Sequence, residues 1–321
     1  AAGASCRCQL QVPAAGASCR HRRSCGRQQS STMALPTKLR AIGAPVLRAP
    51  PGRGCYAEER GRGVEMEVSG LVLLTGFGPF GDVVTNPSWE LVRVLIRETP
   101  VLAMGRSSYA VRCPAHPVAV SYEAVDRAAA AGCYGASVSE EEAPLRLVVH
   151  LGVGMPGPLR LEGQGRNGSY RNADCHGRLK AGGSCIQGGP RVLRTPLDLE
   201  RVRRAVAAEC VGSAAAAAVE VSRDAGLYLC EYIYYRSLYL AQTRAESGAA
   251  SPAILFVHIP PFNEPYAPEE IAAVVRAILR ACLGQLEVGS QESSCASCDL
   301  DRSSSCASSD AIACCWFPGE K

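Results

Sequence analysis

Two side chains in the second half of the chain have the chemistry of a nucleophile and a base. Cys230 lies near the start of a predicted helix, residues 226–242, for which Asp224 suits the N-cap. A thiol at a helix N-terminus gains from the helix dipole, which favours the thiolate. His258 ends the apolar run 254–257, so a strand would bring its imidazole to the same sheet edge. Catalysis is one interpretation, and a small buried hydrophobic residue is the more common role of an isolated cysteine.

A catalytic imidazole needs a third group that holds its orientation, and Glu162 is the candidate carboxylate. It lies beyond an apolar run that ends near Leu151. A solvated surface carboxylate is the alternative interpretation. Of the five histidines, His150 lies inside that apolar run and is expected to be a core residue with satisfied hydrogen bonds.

A glycine pattern after the first apolar run suggests a nucleotide site. Residues 76–81 read GFGPFG and match G-x-G-x-x-G, which is typical of dinucleotide-binding turns. However, Pro79 lacks a backbone donor, Phe77 and Phe80 line the turn with hydrocarbon, and no acidic residue ends the second predicted strand. Two interpretations remain: the aromatic rings form a neutral apolar slot for a ligand, or they close the core.

Short apolar runs alternate with helical patterns between residues 70 and 288, which is typical of βαβ units around a parallel sheet. We therefore expect one α/β domain, a three-layer α/β/α sandwich with a mostly parallel sheet. The predicted strands are 71–75, 108–113, 145–151, 217–222 and 253–259. The predicted helices are 87–97, 121–131, 197–210, 226–242 and 268–286.

The composition argues against two classes of partner. Residues 1–69 contain 11 Lys and Arg against 4 Asp and Glu, a net charge of +7, so the rest of the chain carries −3 of the overall +4. The part expected to fold has no Lys/Arg cluster with interleaved aromatics, so we expect no nucleic acid as partner. No window approaches the ~18 consecutive apolar residues of a membrane span, so we expect no membrane either.

The cysteines and the two ends of the chain indicate a reducing environment and two tails. Seven cysteines between residues 70 and 288 are mostly isolated and odd in number, so free thiols are expected. Residues 1–69 are expected to be a disordered basic extension, with a transit segment as the alternative. Residues 289–321 are expected to be a disordered Ser/Cys-rich tail. Its Cys295-x-x-Cys298 pair lacks the second pair or histidine that zinc needs, so no metal is expected.

Four ordered blocks of sequence together form a specific signature: residues 74–81 with 86–89, 148–153, 222–230 with 234–235, and 256–261. On these blocks, residues 70–286 resemble the pyroglutamyl-peptidase I family, the cytosolic cysteine omega-peptidases that remove N-terminal pyroglutamate. Within that family the resemblance is closer to a vertebrate branch of paralogues. The resemblance implies a phosphorylase/hydrolase-like fold, a cytosolic location, pyroglutamyl peptides as substrates, and no metal or organic cofactor.

The family's catalytic residues fall on positions of matching type. The resemblance implies that Cys230 is the nucleophile, that His258 is the base, and that Glu162 orients the imidazole. It implies a thiol peptidase that acts through an acyl-enzyme.

The same resemblance assigns the wall of the pyroglutamate pocket to Phe77, Phe80 and Tyr228. Aromatic walls suit an uncharged lactam. The turn at Pro156 departs from the family pattern. A proline there would displace Glu162. The alternative function is therefore a catalytically impaired relative that binds pyroglutamyl peptides or a partner. The sequence gives no indication of the oligomeric state.

Overall fold

A computed structural model of the chain describes residues 68–134 and 143–298. Residues 1–67 and 299–321, which contain most of the two predicted tails, lie outside the described residues. Within the described ranges, no helix is both long enough and apolar enough to cross a membrane.

The described residues form a seven-stranded sheet and a separate two-stranded sheet. The strands are β1 Val68–Gly76, β2 Val101–Met104, β3 Ser107–Arg112, β4 Leu145–Val153, β5 Arg160–Glu162, β6 Gln164–Arg166, β7 Val192–Arg194, β8 Glu220–Ser222 and β9 Ala253–Ile259. The large sheet has the order β2-β3-β1-β4-β9-β5-β8, and β6 pairs with β7. Neighbours run parallel except for β2 against β3 and β5 against β9. The predicted mostly parallel sheet is thus confirmed.

Helices cover both faces of the large sheet. They are α1 Pro87–Glu98, α2 Tyr122–Tyr134, α3 Leu199–Glu209, α4 Ala214–Ala217, α5 Leu229–Glu246 and α6 Pro268–Cys298. Alternate residues of β4 point to opposite faces. Leu147 and Val149 pack in the core that α1, α3, α4 and α6 share, whereas Val148 packs in the core of α2 and α5. This is the predicted three-layer α/β/α sandwich.

Two sequence predictions were wrong in detail around residues 213–229. The predicted strand 217–222 begins only at Glu220, because the preceding alanine run forms α4, which the Ser213 side chain caps through the amide of Ala216. Helix α5 begins at Leu229 rather than at residue 226, so Asp224 is not its N-cap. The Asp224 carboxylate instead accepts a hydrogen bond from the amide of Gly226.

Candidate active site

Three neighbouring strands and one helix bring the predicted catalytic residues together. β9 lies between β4 and β5 in the sheet. Gly152 of β4 is opposite His258 of β9, and Glu162 of β5 is opposite Phe256 of β9. The carboxyl ends of parallel strands are where α/β sheets bind ligands, so His258 lies at the edge where a site is expected.

The imidazole of His258 is held by a buried carboxylate. Its Nδ1 lies 2.8 Å from Oε1 of Glu162, which is completely buried. The Tyr234 hydroxyl donates to the backbone carbonyl of Glu162 over 2.6 Å, so helix α5 also holds the backbone of Glu162 in place. The turn at Pro156 therefore does not move Glu162 away from the histidine.

The thiol of Cys230 influences the same imidazole. Burial alone would lower the pKa of His258, but the interactions of its imidazolium with Cys230 and with the Glu162 carboxylate raise it to about 9. His258 is accordingly protonated at neutral pH. An imidazolium beside a thiol stabilises the thiolate, which is the nucleophilic form.

The start of α5 gives Cys230 a further electrostatic advantage. Cys230 is the second residue of the helix, and its N-cap residue, Tyr228, makes no side-chain capping bond. The first-turn amides of a helix have no partner within the helix itself. They provide the partial positive charge that a thiolate or a developing oxyanion needs.

Gly152 allows the Cys230 thiol to approach strand β4. A Cβ atom at this position would lie 2.6 Å from Cζ of Phe256 and 3.2 Å from Sγ of Cys230. Phe256 is completely buried, so its ring has no free space to move into. The sequence gives no distinct signal for this glycine, because its role depends on contacts between distant segments.

We expect Gly152→Ala to damage both the fold and the site. Overpacking of this kind costs about 1–3 kcal/mol of unfolding free energy, and displacement of Cys230 should lower kcat/KM by at least about tenfold. Thermal unfolding and steady-state kinetics measure the two effects. Gly132→Ala is the control, because a Cβ on that helical glycine meets its nearest atom at 3.4 Å. Equal behaviour of the two variants would contradict the prediction.

His150 is a core residue, as its sequence context suggests. Its Nδ1 lies 2.7 Å from the Thr75 hydroxyl, and its Nε2 lies 2.9 Å from the Ser237 hydroxyl. Complete burial lowers the pKa of His150 to about 3, so it stays neutral. It therefore does not compete with His258 for the role of base.

The aromatic residues after β1 divide between core and cleft. Phe77 is only 5% exposed and packs in the core, whereas Phe80 and Tyr228 are half-buried, with ring centroids 5.8 Å apart. The Tyr228 hydroxyl donates to the carbonyl of Ala173 over 2.9 Å, which fixes the ring. Phe80 and Tyr228 thus present the more accessible apolar surface, and Phe77 supports it.

The glycine pattern of residues 76–81 does not form a phosphate-binding turn. Three of its amides are satisfied within the protein: Phe77 donates to the Ser88 hydroxyl, Gly78 to the carbonyl of Val118, and Phe80 to the carbonyl of Val83. A pyrophosphate site needs such amides to be free. The doubt raised by Pro79 was justified.

An ion pair next to Cys230 in the chain was not anticipated from the sequence. Glu231, which follows Cys230, has a completely buried side chain, and its carboxylate accepts hydrogen bonds from Arg166. Arg166 also pairs with Asp224. Nothing in the sequence shows that these charges meet, because Arg166 and Glu231 are 65 positions apart.

A thiol at a helix start, an imidazole and a buried carboxylate at the edge of an α/β sheet form the arrangement that defines cysteine hydrolases. No protein-family model matches the chain. Pyroglutamyl-peptidase 1 of Mus musculus is 33% identical over 225 residues, which are 70% of this chain and 95% of that relative. The chain belongs to the pyroglutamyl-peptidase I family.

Two further similarities extend this comparison. The pyroglutamyl-peptidase 1-like protein of Homo sapiens is 32% identical over 142 residues, which are 44% of this chain and 65% of that protein. The solved structure of the pyrrolidone carboxyl peptidase from Thermococcus litoralis is 18% identical in sequence, with a TM-score of 0.55 over 68% of this chain and 96% of that one. The structural similarity confirms the α/β fold class.

Proposed function

We propose that this protein is a cysteine omega-peptidase that removes an N-terminal pyroglutamyl residue from peptides. The observation that supports this most is the 2.8 Å contact between His258 and a completely buried Glu162, with Cys230 near enough to the same imidazole to raise its pKa. A surface carboxylate would not hold a histidine in this way. The relatives' names supply the substrate class.

The proposed reaction has two steps. The Cys230 thiolate attacks the pyroglutamyl carbonyl, and first-turn amides of α5 stabilise the oxyanion. His258, which holds the thiol proton, gives it to the leaving amine as the C–N bond breaks. Water then loses a proton to His258 and attacks the thioester, which releases pyroglutamate and restores the thiol. Glu162 keeps the imidazole oriented in both steps.

Selectivity for pyroglutamate would follow from the neutral character of the cleft. The lactam ring is uncharged, and the half-buried rings of Phe80 and Tyr228 offer it hydrocarbon contacts. The hydrocarbon of these rings cannot pair with a free N-terminal ammonium, which would lose part of its hydration there at a cost of several kcal/mol. Ordinary aminopeptidase activity is therefore not expected.

We expect Phe80→Ala to weaken substrate binding rather than the chemical step. Loss of an aromatic contact should raise KM by about tenfold and change kcat by less than about threefold. The measurement is steady-state hydrolysis of a pyroglutamyl amide. Val84→Ala, at an 82% exposed residue of the same loop, is the control. Unchanged KM in Phe80→Ala would remove this residue from the pocket.

The test of the proposed function is a substrate panel with the full chain under reducing conditions. A pyroglutamyl fluorogenic amide should be hydrolysed. A prolyl amide, which has the ring and a charged amine, and a glutaminyl amide, which has the open chain, should not. Hydrolysis of the prolyl amide at a similar rate would overturn the assigned specificity. A folded protein that hydrolyses none of the three would favour the alternative, a catalytically impaired relative.

The cellular location, the branch of the family and the partners belong to the same proposal. The seven cysteines between residues 70 and 288 are all free thiols, which suits the cytosol and a need for reducing agent. The vertebrate 1-like branch is not favoured over pyroglutamyl-peptidase 1 itself, because the identities are similar and the 1-like match covers a shorter stretch. The proposed partners are pyroglutamyl peptides.

A further inference from the structure

Glu231 is a buried carboxylate directly beside the proposed nucleophile. Its side chain is completely buried, whereas carboxylates almost never are unless they are paired. Burial raises the pKa of Glu231, and the Arg166 guanidinium opposes that shift. Arg166 therefore supplies the positive charge that compensates this buried carboxylate.

Arg166 meets Glu231 with three hydrogen bonds. Its backbone amide lies 3.0 Å and its Nε 2.6 Å from Oε1, and its terminal Nη2 lies 2.7 Å from Oε2. The same Nη2 contacts Asp224, in the turn before α5. Both carboxylate oxygens of Glu231 thus accept hydrogen bonds. The turn at Asp224 and the first turn of α5 both contact the Arg166 guanidinium.

The segment that carries Arg166 also carries Glu162. Strand β5 ends at Glu162, and β6 ends at Arg166 four residues later. The backbone of β6 lies directly against α5, because a Cβ on Gly165 would come within 2.9 Å of the backbone of Tyr235. One short segment thus fixes Glu162 against His258 and Arg166 against the first turn of α5.

We propose that Arg166 is a positioning residue for Cys230. Arg166 cancels the Glu231 charge beside the thiol, and it fixes the start of α5 against the segment that holds Glu162. The inference rests on the proposed function, in which Cys230 is the nucleophile. Without Arg166, the start of α5 would lose its side-chain hydrogen bonds to that segment, and a Glu231 carboxylate that stays ionised would repel a thiolate one residue away. Removal of both charges would remove that repulsion.

The test compares the rate at which iodoacetamide alkylates Cys230, mapped by mass spectrometry at neutral pH. Arg166→Met should slow alkylation by at least about tenfold. Arg166→Lys, which keeps a charge, should retain most of the wild-type rate. The double variant Arg166→Met/Glu231→Gln should return to within about threefold of wild type. Arg280→Met, which breaks the surface pair with Glu209, is the control and should have no effect.

The outcomes separate positioning from a merely structural role. An Arg166→Met variant that reacts at the wild-type rate would overturn the proposal, and so would a double variant as slow as the single one. If Arg166→Met does not fold, Glu231→Gln alone decides: a rate at or above that of wild type supports the proposal, and a slower rate overturns it. Alkylation needs no substrate, so a chain without peptidase activity would refute the proposed function and leave this test intact. In an active enzyme, Arg166→Met should lower kcat with little change in KM.

Discussion

Replacement of Cys230 by alanine is expected to abolish pyroglutamyl amide hydrolysis, with kcat reduced by at least about 10³-fold. The substitution removes the only atom that forms the proposed thioester, and neither His258 nor Glu162 can replace it. The pocket residues are unchanged, so the inhibition constant of pyroglutamate should stay within about threefold of the wild-type value. Steady-state kinetics and product inhibition measure the two quantities.

The matched control is Cys175→Ala, because Cys175 is an exposed free thiol outside the proposed catalytic contacts. That variant should keep nearly full activity. Substantial turnover by Cys230→Ala, or an equal loss in Cys175→Ala, would refute the assigned nucleophile.

Replacement of Glu162 by glutamine should lower kcat by about 10²–10⁴-fold. Glutamine keeps the size of the side chain and removes the negative charge that helps to raise the pKa of His258 to about 9. The imidazolium must give its proton to the leaving amine, so wild-type kcat should fall as the pH rises through about 9. In Glu162→Gln this decline should begin at lower pH.

The raised pKa of His258 also makes the free energy of unfolding depend on pH. The folded-state pKa of His258 is raised from about 6.5 to about 9, so its contribution to stability is fully present below pH 6.5 and is lost as the pH rises through 9. The free energy of unfolding should therefore fall over this window in the wild type and fall less in Glu162→Gln. Glu220→Gln, at an exposed ion pair with Arg160 on the neighbouring strand, is the control for both readouts. A pH profile in Glu162→Gln that matches wild type would contradict the proposed role of Glu162.

The sequence predicted the sheet and most helices because their patterns are long and periodic. The strand 253–259 was predicted with its observed bounds, and Pro87 and Pro268 correctly mark two helix starts. The short strands β2, β5, β6 and β7 were missed, because three or four residues cannot display a period. Glu162 therefore lies in a strand that was not predicted.

The site was predictable as a set of residue types and not as a geometry. Cys230, His258 and Glu162 were singled out by residue type and by their places relative to a predicted helix or strand, and the family resemblance implied their roles. The Arg166–Glu231 pair was not predictable, because the burial of these two charged side chains depends on contacts between segments that are distant in the sequence. The start of α5 was placed three residues early, since Asp224 is a good cap by type but forms a turn and an ion pair instead.

The measurement that tests the proposed mechanism most directly follows hydrolysis of a pyroglutamyl amide by the full chain during stepwise alkylation with iodoacetamide near pH 6. Mass spectrometry reports the fraction of Cys230 modified at each step. The predicted result is an active protein whose rate falls in proportion to that fraction, because His258 keeps the Cys230 thiol reactive at a pH where ordinary thiols are inert. Full activity with Cys230 alkylated would contradict the mechanism, and a folded chain that is inactive before alkylation would contradict the proposed function.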